Sequence, residues 1–203
     1  SGSTFPIGTT IVTCTASDAF GNVGTAIFSV TVNYTGSADT TPSAPYTITD
    51  DSTGGDCQYI GTWSSGSRTC TLNDNIFSSS SGIIIGSNGI TLDGGGTMIS
   101  GPNCVVDISF CELNGNADDE DYGVDTRNKD NFTIKNLNIK GFGIGIKTGN
   151  GENGVITNVQ TSYNTVDGIY SQYESELKVT NNVITNNGRN GITFNGGSGS
   201  GDC

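Results

Sequence analysis

Thr133-Ile134-Lys135-Asn136-Leu137-Asn138-Ile139 is followed 22 residues later by Val155-Ile156-Thr157-Asn158-Val159-Gln160-Thr161, and 23 residues after that by Lys178-Val179-Thr180-Asn181-Asn182-Val183-Ile184. Three columns run through these lines: Ile134, Ile156 and Val179; Asn136, Asn158 and Asn181; Ile139, Thr161 and Ile184. Gly145-Ile146, Gly168-Ile169 and Gly191-Ile192 recur at steps of 23. An earlier turn, residues 82–101, fits less regularly. Self-similarity at a fixed period marks a repeat architecture, in which each unit buries its apolar face only against its neighbours. The Leu-x-x-Leu-x-Leu frame and helical segments of a leucine-rich repeat are missing. Each repeat instead reads as about three short β segments separated by Asn and Gly corners.

This pattern resembles the right-handed parallel β-helix of the NosD-like and pectate-lyase-like repeat families, over residues 46–203. The resemblance implies a solenoid in which each coil adds a rung to three sheets and rises about 4.8 Å, the interstrand spacing. Inward Ile and Val would stack from coil to coil, and Asn136, Asn158 and Asn181 would form a hydrogen-bonded ladder at one corner. Glycines at the corners would supply positive φ. Residues 46–80 would form an N-terminal cap, because an exposed end coil is an edge that pairs with anything similar.

Composition agrees with an all-β chain. Among 203 residues there are 31 Gly, 22 Asn and only 14% charged residues. The net charge of −12 argues against nucleic acid and anionic membranes, which need Lys and Arg. No apolar run is long enough to span a bilayer. With no histidine, the Ser-His-Asp triad and His-ligated metal sites are excluded.

Cys14, Cys57, Cys70, Cys104, Cys111 and Cys203 lack metal-site spacing, and their even number favours disulfides and an oxidising compartment. Local spacing pairs Cys57 with Cys70 and Cys104 with Cys111, leaving Cys14 and Cys203. Asn33 and Asn131 open glycosylation sequons.

Residues 7–16 and 26–32 read as two alternating strands joined by an Asp-Gly-Asn turn at 17–22, a hairpin that needs a partner sheet. Phe5-Pro6-Ile7-Gly8-Thr9-Thr10, Val12-Thr13-Cys14-Thr15-Ala16, Asp18, Gly21-Asn22 and Phe28-Ser29-Val30-Thr31-Val32 resemble the C-terminal half of a HYR (hyalin repeat) domain. The resemblance implies an immunoglobulin-like sandwich with an extracellular adhesive or spacer role. The domain reading is therefore a partial HYR-like sandwich at 1–34, a linker at 35–45 and a β-helix at 46–203. Two explanations fit a chain that begins inside one module and stops inside another. It is a fragment, or neighbouring chains complete each other head to tail, with Cys14 and Cys203 as candidates for an interchain disulfide.

Candidate sites are sparse. Asn114, Asn116, Asp118, Asp119 and Asp121 place oxygen ligands in one acidic run, a pattern that suits Ca²⁺; no other cofactor is expected. Asp50, Asp51 and Asp56 form a weaker cluster, and Asp18 with Asn22 reads as a plain turn. Asn164-Thr165-Val166-Asp167 resembles the Asn-Thr-Asp-Gly motif of polygalacturonases, broken by the inserted Val. Glu174 and Glu176 are two apart and so could share a strand face. None of these makes a catalytic constellation. Tyr163, Tyr170 and Tyr173, with Phe142, could stack on sugars. The reading is an extracellular structural or adhesive protein whose partner is itself, with a carbohydrate-binding or polysaccharide-degrading β-helix as the alternative.

Overall fold

The computed structural model describes residues 8–32, 42–104, 111, 113 and 120–196. The chain divides into two compact units, Ser1–Thr40 and Thr41–Cys203.

In the first unit, β1 (Gly8–Ser17) pairs antiparallel with β2 (Val23–Val32) in a two-stranded sheet. The Asp18 carboxylate accepts hydrogen bonds from the N–H groups of Phe20 and Asn22 and from the Asn22 side chain, which closes the turn. Strand alternation puts Val12, Cys14, Ala26 and Phe28 on one face and the Thr-rich set Thr9, Thr13, Thr25 and Thr31 on the other. Ile11 and Ile27, 71% and 70% exposed, show how little of this hairpin is covered.

The second unit is a parallel β-solenoid of about five turns. Its first coil holds β3 (Tyr46–Ile48), the short helix α1 (Cys57–Ile60), β4 (Gly61–Ser64), β5 (Thr69–Leu72) and β6 (Ile76–Phe77). The next holds β7 (Ile83–Ile85), β8 (Thr91–Asp93) and β9 (Met98–Ser100). Then come β10 (Tyr122–Asp125) with β11 (Thr133–Lys140), and β12 (Ile144–Gly149) with β13 (Val155–Ser162). The last are β14 (Asp167–Gln172), β15 (Lys178–Thr180), β16 (Val183–Thr185) and β17 (Asn190–Asn195). One sheet stacks β3, β7, β10, β12, β14 and β17. The other bends where β11 and β13 pass through Asn136 and Asn158, so that β8 pairs one half of β11 and β9 the other. The coil therefore has three walls.

Register turns the sequence columns into columns of packed side chains. Ile83, Val124, Ile146, Ile169 and Ile192 lie one above another, as do Cys70, Leu92, Ile134, Ile156 and Val179, and Ile76, Ile99, Ile139, Thr161 and Ile184. Burial of one such aliphatic side chain contributes roughly 1.5–3 kcal/mol. Corner glycines such as Gly89, Gly95, Gly96 and Gly141 take positive φ as expected, but the glycines that recur within the strands have another role. A Cβ at Gly145 would lie 2.5 Å from the Gly168 carbonyl oxygen, and one at Gly168 would lie 2.7 Å from that of Gly191. Coil-on-coil approach, not positive φ, excludes a side chain there. Positive φ at the corners falls mainly to asparagine: Asn128 and Asn150, Asn131 and Asn153, and Asn136, Asn158 and Asn181 stand in equivalent positions. Asparagine tolerates this region because its short side chain bonds locally.

The two ends of the solenoid differ. At the first coil, Asp56 behaves as an extra strand on the outer edge of β3. Its carboxylate accepts the Thr47 N–H at 2.8 Å, and its own N–H donates to the Thr47 carbonyl at 2.9 Å. The Cys57–Cys70 disulfide ties this cap to β5, Arg68 pairs with Asp50 at 2.6 Å, and the bent sheet ends on β4, antiparallel to β5. At the other end β15, β16 and β17 have no strand beyond them among the described residues. Inward side chains are less covered there: Ile192 and Phe194 are 39% and 49% exposed.

The packing of these columns is checked by chemical denaturation of two variants. Ile146→Ala costs about 2–4 kcal/mol. Thr161→Val, which removes a buried hydroxyl without a hydrogen-bond partner from an isoleucine column, raises stability by about 1 kcal/mol.

Candidate functional site

Two outer surfaces of the solenoid combine exposure with ordered polar chemistry. The first lies on the unbent sheet, where register aligns Ile84, Asp125, Lys147, Tyr170 and Thr193. The Arg127 guanidinium forks onto the Asp125 carboxylate, with contacts of 2.7–3.1 Å, and lies 4.9 Å from the centre of the Tyr122 ring. Lys147 Nζ sits 3.4 Å from the centre of the Tyr170 ring. Burial, followed by the neighbouring Arg127 charge, lowers its pKa from the ordinary lysine value. Asn195 Nδ2 donates to the Tyr170 hydroxyl at 3.2 Å. The result is a fixed cation against an aromatic face, rimmed by hydrogen-bonding groups.

Tyr163 and Tyr173 flank the same strand β14 at its two corners, exposed and at φ +55°. Tyr173 holds the corner that Asn128 and Asn150 hold in earlier coils. A bulky residue in this region costs about 1–2 kcal/mol, and such strain collects at binding and catalytic sites. Phe142 does not join these tyrosines. It is fully buried in the core, because its place just past the Gly141 corner turns its ring inward.

The second surface is a groove along the bend of the other sheet, lined by Asn136, Asn138, Asn158, Gln160 and Asn181. The expected amide ladder forms over one of its two rungs, between Asn136 and Asn158, and has a direction. Asn158 Nδ2 donates to Asn136 Oδ1 at 2.7 Å, and Asn136 Nδ2 donates to Asp93 Oδ1 at 2.9 Å. A carboxylate ends the chain well, since it accepts without needing a donor of its own. Burial pushes the Asp93 carboxyl up, but the hydrogen bonds from Asn136 and the Gly95 N–H, with Lys135 at 3.2 Å, outweigh it and hold the pKa below the ordinary value.

The other candidates resolve into structural roles or lie elsewhere. Asn114, Asn116, Asp118 and Asp119 are outside the described residues. Asp121 is described, and its backbone carbonyl accepts the N–H groups of Gly143 and Ile144. Among the described residues no three acidic or cysteine side chains gather as a metal site. Asp50, Asp51 and Asp56 diverge: Asp50 pairs with Arg68, Asp51 closes its own loop through Thr49, Thr53 and Gly55, and Asp56 seals β3. Glu174 and Glu176 fall between β14 and β15, so they share no strand face. Burial raises the Glu174 pKa, although Thr148 Oγ donates to its carboxylate at 2.7 Å. Asp167 is fully buried and accepts from Arg189 and the Asn190 N–H, while Asn164 accepts the Phe142 N–H. The polygalacturonase-like stretch thus holds successive coils together. Both predicted disulfides, Cys57–Cys70 and Cys104–Cys111, are formed. Among the described residues Cys14 is a free, exposed thiol in the middle of β1, and Cys203 and Asn33 lie outside them. Asn131 is exposed at its corner.

Comparison with known families agrees with this geometry. The model of the right-handed β-helix region matches residues 58–202. The chain belongs to the right-handed β-helix family. In front of this β-helix, residues 1–32 match the HYR domain. No curated protein and no solved structure matches the chain. HYR domains and disulfides are features of extracellular proteins, and no described helix of this β-helix protein is long and apolar enough to cross a membrane.

The Asp93 terminus of the ladder gives a pH dependence of known sign. A carboxyl with a lowered folded-state pKa stabilises above its unfolded value and loses that contribution as pH falls through the folded one. Thermal melts between pH 6 and pH 2 will show the advantage of wild type over Asp93→Asn shrinking below about pH 4.

Proposed function

We propose that this protein is an extracellular structural or adhesive element, and that its chains join head to tail into a stalk or filament. The observation that carries the reading is the pairing, in one sequence, of a HYR match with a disulfide-clipped β-helix whose last described coil leaves Ile192 and Phe194 uncovered. A solenoid needs both ends covered, and among the described residues β17 and the hairpin each leave a β surface without a partner. A contact between different surfaces of identical subunits does not close, and so propagates as a fibre. Sedimentation velocity of the 203-residue chain, oxidised and across a concentration series, tests this. A ladder of growing species is expected, and a single monomer at every concentration overturns it.

Carbohydrate binding is a second reading, favoured by the Tyr163, Tyr170 and Tyr173 stripe with Lys147 stacked on its central ring. Such flat aromatic faces suit the apolar faces of sugar rings. Glycan-array binding that falls at least tenfold in Tyr170→Ala supports this reading, whereas an array without any bound glycan rejects it.

A further inference from the structure

Three carboxylates packed against the solenoid meet a cation each: Asp93 meets Lys135, Asp125 meets Arg127 and Asp167 meets Arg189. Glu174, between β14 and β15, is packed against it too, yet among the described residues no lysine or arginine pairs with it. Its place follows from the repeat. Lys129, Gly151 and Glu174 each come directly after a residue of positive φ, namely Asn128, Asn150 and Tyr173. The next residues tie the two later corners together. Ser175 N–H donates to the Gly151 carbonyl at 3.0 Å, and Asn153 N–H donates to the Ser175 carbonyl at 3.0 Å.

Gly151 leaves a gap in this column. A Cβ there would run into the Lys129 carbonyl oxygen and lie 3.0 Å from Glu174 Oε1. The Glu174 carboxylate thus occupies the space that a side chain at Gly151 would take. From there its Oε2 accepts the hydroxyl of Thr148, a fully buried residue, at 2.7 Å. Oε1 is shut off from solvent and accepts no hydrogen bond.

An ionised carboxylate in this place has one donor where water would offer several. The charges around it do not compensate. Asp130, two coils earlier, is itself negative and turns its oxygens to Asn88 Nδ2 at 2.9 Å and the Glu152 N–H at 3.2 Å. Glu152 lies on the intervening corner, Glu176 and Lys178 follow on Glu174's own, and Lys129 makes no ion pair with Glu174. The Lys129 carbonyl oxygen borders the same spot over Gly151 as Oε1, and an oxygen acceptor repels a carboxylate but attracts a carboxylic acid. Burial, helped by Asp130, raises the Glu174 pKa against the opposing pull of the Thr148 hydroxyl and the Gly151 N–H.

We propose that Glu174 is a proton-operated latch between neighbouring corners of the solenoid: as an acid it stays over Gly151 and holds the 173–177 corner down, and as a carboxylate it leaves for water and releases that corner. What the latch holds is strained, since Tyr173 and Glu176 both sit at φ +55°. Release therefore also alters the surface that carries the exposed Tyr173. The sign is opposite to that of Asp93. A carboxyl with a raised folded-state pKa contributes its stability in full below its unfolded value, about pH 4, and loses it as pH rises through the folded one. The latch acts within one chain and is independent of assembly between chains.

The test uses the full chain. Carbon-13 NMR titration is expected to find Glu174 titrating above the exposed Glu152 and Glu176. Thr148→Val, which removes the donor to the ionised form, is expected to move that titration higher still. Amide exchange, corrected for its intrinsic pH dependence, is expected to become several times faster at residues 173–177 relative to residues 128–131 between about pH 4 and about pH 8. In Glu174→Gln, which stays uncharged, the ratio between the two corners is expected to hold constant with pH. Titration of Glu174 together with Glu152 and Glu176 overturns the latch, and so does a wild-type exchange ratio that is the same at both pH values. A rise in melting temperature with added Ca²⁺ at high pH that Glu174→Gln abolishes overturns it too, because a cation then takes the place given to the proton.

Discussion

The stacking of equivalent side chains at one interstrand spacing is the constraint from which the rest of this structure follows. Because each coil lies directly on the last, Ile146 must meet Val124 on one side and Ile169 on the other, and a gap in one rung exposes two neighbours. The same closeness forbids a Cβ at Gly145 and Gly168 and forces the sharp corners that asparagine takes in left-handed conformation. Amides at those corners then find one another across coils, as Asn136 does with Asn158, and just past a corner Asn164 does the same with Asn187 at 2.9 Å. Core, corners and ladders are thus one arrangement.

A stack of this kind has no natural end. Every coil offers the next the backbone groups and apolar surface that it received from the one before, so closure has to be written into the sequence. At the first coil it is: Asp56 supplies a side-chain acceptor and a backbone donor in place of a strand, and Cys57–Cys70 and Arg68–Asp50 hold it there. At the last described coil β17 ends its sheet among the described residues, and Ile192 and Phe194 are 39% and 49% exposed.

The stacking is legible in the sequence because it repeats: Ile134, Ile156 and Val179 share both their spacing and their column, and the periodic asparagines share a corner. Local cysteine spacing makes the two disulfides legible too, but other features that occur once are not. Nothing about Asp56 in the sequence distinguishes an edge seal from a loop carboxylate, since its role depends on β3 lying nine residues earlier and running beside it. Phe142 reads as an aromatic beside glycines, and only the corner at Gly141 turns it into the core. The face joining Lys147 to Tyr170 is half visible: the tyrosines stand out along the chain, but their cation comes from the preceding coil, 23 residues away, and emerges only once the register is known.

Amide hydrogen exchange read by mass spectrometry, compared between dilute and concentrated protein, tests the central claim most directly. The account predicts that the Thr47 amide is protected in both states, held by Asp56. The Asn190–Asn195 amides of β17, the last strand of its sheet among the described residues, should exchange faster than those of β12 when dilute and slow on concentration. Protection of β17 in dilute solution equal to that of β12, unchanged on concentration, would contradict it.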